Sequence, residues 1–196
     1  MENKTETKTP NQTPIQNHPQ PQPQEDFVDM AIRAYNVGYT VDKIAEEIGR
    51  YTNIWHVTSL PDVCSKDKEL CDKLGIHVGQ PPREGVVALD GKRGVYWDPK
   101  VLVKTAALSI AEKTRLDFGN VVRGIAYLTF LDAFKTAHML LELTRFYHYK
   151  QKREKDRYAG HALQHVRSLR RLDPRFKLLK ALDDRLAGWL VRRGKL

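Results

Sequence analysis

The sequence predicts an α+β fold, a predominantly helical single domain around one long buried helix with a small β-hairpin or sheet. Three observations carry that prediction. Residues 118–143 run without proline, and Val121, Val122, Ile125, Leu128, Leu131, Phe134, Leu140 and Leu141 recur at three- and four-residue steps. More apolar residues lie between them, so the segment is apolar nearly all round, as a core helix is. Second, VVAL, the Asp90-Gly91 turn and GVYW read as a hairpin over residues 86–97. Third, helix signals flank both: Asp98-Pro99 places a cap and an N1 proline before VLVKTAALSIAEKTR, and Pro174 forces a boundary before a last amphipathic helix over 175–191.

In chain order, residues 1–25 are rich in proline, glutamine and threonine. They cannot bury enough apolar surface to offset their conformational entropy, which predicts a disordered tail ahead of a globular domain over 26–196. Residues 26–37 place Phe27, Met30, Ala31, Ala34 and Tyr35 on one helical face. Gly38 ends that helix, and Thr40 caps a second, VDKIAEEIG. YTNIWHVTSLPD follows, with the β-branched and aromatic alternation of a strand. Ser65 is placed to cap KDKELCDKLG, which Gly75 stops, and HVGQPPREG reads as a loop. The core helix either continues to about Arg171 or breaks near Gly160. Asp132 and Lys135 within it read as an internal charge pair.

With 41% apolar and 29% charged residues, the composition is that of a soluble globular protein. Arg123, Asp132, Lys135 and Glu142 interrupt residues 118–143 too often for a membrane span. The two cysteines, Cys64 and Cys71, would sit about 10 Å apart if one helix carried both, too far to bridge. They therefore read as small buried thiols in a reducing compartment. The N-terminus is polar and has no apolar signal region. The expected location is intracellular (cytoplasmic) or within a virion, and the protein is not expected to be secreted.

Charge is unevenly placed. The whole chain carries +9, yet residues 144–196 hold sixteen Lys/Arg against five Asp/Glu, a net of +11, which leaves the rest at −2. Such asymmetry points to a polyanion, nucleic acid before an anionic membrane. RFYHYKQKREKDRY interleaves Phe146, Tyr147, Tyr149 and Tyr158 with cations, a pattern that can pair phosphate contacts with rings stacked on bases. The cations expected to touch phosphate are Arg145, Lys150, Lys152, Arg153, Lys155, Arg157, Arg167, Arg170, Arg171, Arg175, Lys177, Arg192 and Arg193. The stripe of Phe176, Leu178, Leu179, Leu182, Leu186 and Trp189 reads as a packing face that could serve a second copy of the chain.

Three family resemblances bear on function. AYNVGYTVDKIAEEIGRYTNIWHVTSL resembles a helix-turn-helix unit, which implies that Tyr51, Thr52, Asn53 and His56 face a major groove. From Gly94 onward, the hairpin, AEKTRLDF, the long apolar helix and EKDRYA resemble small zincin metallopeptidases of the ImmA/IrrE type. Their HExxHA position here reads Leu128-Thr129-Phe130-Leu131-Asp132-Ala133, without the zinc-binding histidines or the water-activating glutamate. GVYWDPKVLVKTA with VVRGIAYLTFLDAF also resembles RecB-type nucleases, including CRISPR-associated ones. Here the ExK position is Leu102-Val103-Lys104, and Arg123 to Tyr127 keep the tyrosine of QxxxY but not the glutamine. Either resemblance implies a frame without its catalysis.

One ligand pattern survives. His161 and His165, four apart, share a helix face as zinc-binding histidines do, but no glutamate base lies between them. Glu142, His138 or His148 could complete a site only if the chain folds back. The reading is a non-enzymatic, DNA-coating or nucleocapsid-like protein that neutralises phosphate largely without regard to sequence and needs no cofactor. DNA is the expected partner before RNA. The Lys/Arg/Glu-rich style suits a thermophilic archaeon, its plasmid or its virus. A metal-dependent hydrolase and a helix-mediated interaction module are the alternatives.

Overall fold

Helix α1 (Val41–Ile48) begins at Thr40 and turns Ile44, Ala45 and Ile48 inward. The computed structural model describes residues 40–81 and 83–196. The tail expected over 1–25 and the helix expected over 26–37 lie outside the described residues. After Gly49, two short 3-10 turns (Thr52–Ile54 and Val57–Ser59) carry the chain, so residues 51–56 form neither a strand nor a recognition helix. Ile54 and Trp55 are drawn into the core instead.

Two helical turns then meet at a corner. Helix α2 (Leu60–Lys66) has Pro61 in its first turn, and α3 (Lys68–Leu74) starts at Asp67, whose carboxylate accepts from the Leu70 N–H. Asp67, not Ser65, is the cap. The corner also corrects the cysteine reading. Cys64 and Cys71 lie on different helices with Cα atoms 5.5 Å apart, and they are disulfide-bonded. The expected pair of thiols is absent because the one-helix premise fails at Asp67.

Gly75 ends α3 in the left-handed conformation, at φ 77°. A Cβ there would sit 2.2 Å from the Asp98 carbonyl oxygen, so only glycine permits the Asp98 N–H to bond the Gly75 carbonyl at 2.7 Å. Strand β1 (Ile76–Val78) follows and takes in the first two residues of the stretch expected to be loop. With β2 (Val87–Asp90) and β3 (Val95–Trp97) it makes an antiparallel sheet in the order β1-β3-β2, and Trp97 pairs with both Ile76 and Val87. The Trp97 side chain is fully buried, donates from Nε1 to the Leu74 carbonyl and packs edge-on against Trp55. The hairpin is where the sequence places it, although a 3-10 turn over Gly91–Arg93 joins its strands.

Helix α4 (Pro99–Thr114) opens with Pro99 at N1 and the Asp98 carboxylate accepting from the Lys100 N–H. The expected single core helix is two: α5 (Phe118–Leu131) and α6 (Ala133–His148). Asp132 breaks it. Its extended backbone caps α5, while its side chain accepts from the Lys135 N–H at 2.9 Å and pairs with the Lys135 ammonium at 3.2 Å. A second break at residues 149–151 separates α6 from α7 (Lys152–Arg170), which runs unbroken through Gly160. Helix α8 (Lys177–Arg192) follows the Pro174 turn. The eight helices described enclose one contiguous core, to which α1, the sheet and α4 to α8 all contribute. The expected helical α+β fold is what the chain forms.

Candidate nucleic-acid interface

The last three helices form two antiparallel pairs. Across α6 and α7, Glu142 meets His161 and Tyr149 stacks on Tyr158. Across α7 and α8, Asp156 meets Trp189 while Asp183 meets Arg170. The sequence marks both helices as cationic, and the packing decides which cations remain for a partner.

Four of the thirteen expected contacts are ion-paired within the chain. Arg145 lies 3.6 Å from Glu142, Arg167 and Arg170 share the buried Asp183, and Arg193 reaches Asp156 at 3.2 Å. Among the described residues, no carboxylate lies within ion-pair distance of the other nine. They fall into two groups. Lys150, Lys152, Arg153, Lys155 and Arg157 gather at the start of α7, beside Arg192 at the end of α8, while Arg171, Arg175 and Lys177 ring the opposite turn. A nineteen-residue α7 separates the groups by about 28 Å. The surface is therefore two clusters, not one continuous face.

Lys155 and Arg192 of the first cluster border a groove of about 510 Å³ between α4, α6, α7 and α8. Lys113, Lys155, Arg185 and Arg192 line it, over a floor that includes Phe146 and Trp189. The Lys155 ammonium lies 5.3 Å from the Phe146 ring centre and 5.1 Å from that of Trp189, a cation–π arrangement. Burial, then the Lys113 and Arg185 charges, push it below its ordinary pKa. Lys113 is itself paired with Glu112 at 2.7 Å and Asp184 also lines the groove, so cations predominate there without standing alone. The Tyr147 hydroxyl is buried in the same groove beside Arg185; burial raises its pKa to about 12 against the opposing Arg185 charge and contact. Lys113 and Arg185 were outside the set that the sequence singled out, since one sits at the far end of α4 and only folding brings it near.

The aromatics do not serve as free stacking platforms. Phe146 is buried, Tyr147, Tyr149 and Tyr158 are half-buried against the core, and Tyr149 and Tyr158 stack on each other with centroids 5.3 Å apart. The α8 stripe is likewise internal: Leu178, Leu179, Leu182 and Leu186 are buried, Phe176 packs on Tyr127, and Trp189 donates to Asp156. The face expected to receive a second copy is thus covered by the chain itself.

The histidines show where the chain folds back. His138 and Glu142 on α6 meet His161 and His165 on α7. The rings of His138 and His165 are stacked with centroids 4.9 Å apart, and His161 Nδ1 is 3.5 Å from Glu142 Oε2. Burial, reinforced by His138 and His161, pushes the His165 pKa down to about 4. Burial also lowers His138, against the Glu142 charge. His148 goes elsewhere, to Asp67 and Lys73. Among the described residues, no three His, Cys, Asp or Glu side chains are set to hold a metal ion as they stand. Nor is any helix there long and apolar enough to cross a membrane.

Comparison with family models, with curated proteins and with solved structures finds no match. The stretch matched to HExxHA, residues 128–133, spans the α5–α6 break, and Leu102-Val103-Lys104 lies on α4, not on a strand.

Proposed function

We propose that the protein binds nucleic acid without catalysing its chemistry, neutralising phosphates with the cations at the α7 start and the α8 end. The observation that carries this reading is the cluster of exposed Lys150, Lys152, Arg153, Arg157 and Arg192 with half-buried Lys155, of which Lys155 and Arg192 reach into the Lys113–Arg185 groove. Cations near a helix N-terminus oppose the helix dipole, so local stability does not account for their placement. A phosphate would be favoured by that same terminus and by the cations around it, which outnumber Glu154 in the first turn. No base-reading element accompanies the cluster, which favours binding governed by phosphate and largely indifferent to sequence. A coating role follows from that chemistry, and DNA is proposed as the partner before RNA.

The test is the salt dependence of duplex binding by the full chain and by a variant with Lys150, Lys152, Arg153 and Arg157 changed to Gln. These four side chains are exposed, so the fold tolerates their loss. Affinity is expected to fall log-linearly with salt, and the variant's slope to be shallower by about 0.9 for each phosphate contact removed. Absence of binding at low salt, or an unchanged slope in the variant, overturns the reading.

A further inference from the structure

We infer that His138, Glu142, His161 and His165 form a binding site for one divalent transition-metal ion, a clasp that ties α6 to α7. Each helix supplies two ligands at an i, i+4 spacing, which puts both on one face, and the antiparallel packing sets the two faces against each other. The decisive observation is Glu142. It is only 7% exposed, and its Oε2 has no hydrogen-bond partner. Its neighbours are Arg145, 3.6 Å from Oε1, and His161 Nδ1, 3.5 Å from Oε2 without hydrogen-bond alignment. A buried carboxylate left in that state is costly, and a cation bound at Oε2 removes the cost.

The surrounding groups select the kind of cation. Three imidazoles and one carboxylate suit an ion of borderline softness, zinc or cobalt, over magnesium or calcium, which prefer oxygen. Ligation requires the stacked His138 and His165 rings to turn about χ2, a broad torsion for imidazole, while the helices keep their positions. Four protein ligands fill a tetrahedral shell and leave no position for substrate. The ion would therefore be structural, which accords with a binding protein and goes beyond its nucleic-acid reading.

The experiment titrates Co²⁺ into tag-free full-length chain and follows the visible absorption of four-coordinate cobalt, then displaces it with Zn²⁺. One equivalent is expected to saturate the signal. Glu142→Gln, His161→Ala and His165→Ala should each weaken binding by more than about tenfold, whereas His56→Ala and His77→Ala, away from the cluster, should not change it. Circular dichroism checks the fold of each variant. The His161 side chain is 45% exposed, so His161→Ala decides the matter should the buried positions fail to fold. A chain with no saturable signal, or one whose signal survives loss of both His161 and His165, overturns the proposal.

Discussion

Asp67 joins two parts of the chain through its two oxygens. Oδ1 accepts the Leu70 N–H at 3.0 Å and starts α3, and Oδ2 lies 3.0 Å from His148 Nε2 at the end of α6. The Lys73 ammonium lies 3.3 Å from the other ring nitrogen, His148 Nδ1. Burial pushes the Asp67 carboxyl up, but the Leu70 N–H, the His148 hydrogen bond and charge, and the Lys73 charge outweigh it and hold the group below its ordinary 3.8. The unfolded chain then binds the proton first as pH falls. The contribution is complete above about pH 4 and is lost as pH drops through the lower folded value. Asp67→Asn keeps the cap but removes the charge, and should cost about 1 kcal/mol at pH 7. Urea unfolding at pH 7 and pH 3 checks this: the gap between parent and variant should narrow at pH 3, and a constant gap excludes the mechanism. None of this is legible in sequence, where Asp67 and His148 are 81 positions apart. The same holds for Glu142 beside His161 and for Lys113 beside Lys155. Residue types show which charges exist, and only packing shows which of them meet.

At the scale of elements, legibility followed stereochemistry. Boundaries enforced by the backbone could be read directly: Pro99 and Asp98 start α4, Gly75 stops α3, and Pro174 separates α7 from α8. Breaks made by side chains could not. Asp132 interrupts a run of good helix formers because its carboxylate competes for the Lys135 N–H, and residues 149–151 turn the chain with neither glycine nor proline. The Asp67 corner was missed for the same reason, and the Cys64–Cys71 disulfide with it. The ring it closes is short, and chain entropy predicts a stabilisation of about 2–3 kcal/mol. Replacing both cysteines with serine should lower the melting temperature by roughly 5–10 °C. Reductant should produce the same fall in the parent and none in the variant. Without prior reduction, alkylation should label neither thiol; prompt labelling of both would show the pair to be unbridged.

For the molecule as a whole, the last two helices cannot be divided into a core part and a binding part. Ala159, Ala162, Val166, Leu169, Leu179, Leu182 and Leu186 are all fully buried, so α7 and α8 complete the core with one face and present cations with the other. Deleting residues 144–196 would remove the fold along with the charge, and the binding surface has to be dissected by substitution. Its two clusters lie about 28 Å apart along α7, somewhat less than one turn of duplex. A duplex lying along the α7–α8 hairpin would touch both. In that case Arg171, Arg175 and Lys177 changed together to Gln should lower the salt slope by up to about 2.7, at roughly 0.9 per contact. Combining this with the four substitutions at the α7 start should give the sum of the two effects, since sites so far apart act independently. A duplex seated at the α7 start alone would instead leave the slope of the Arg171/Arg175/Lys177 variant at the parental value. Binding isotherms on a duplex of about 20 bp over a range of salt separate the two arrangements, and the additive result is the one that the spacing of the clusters predicts.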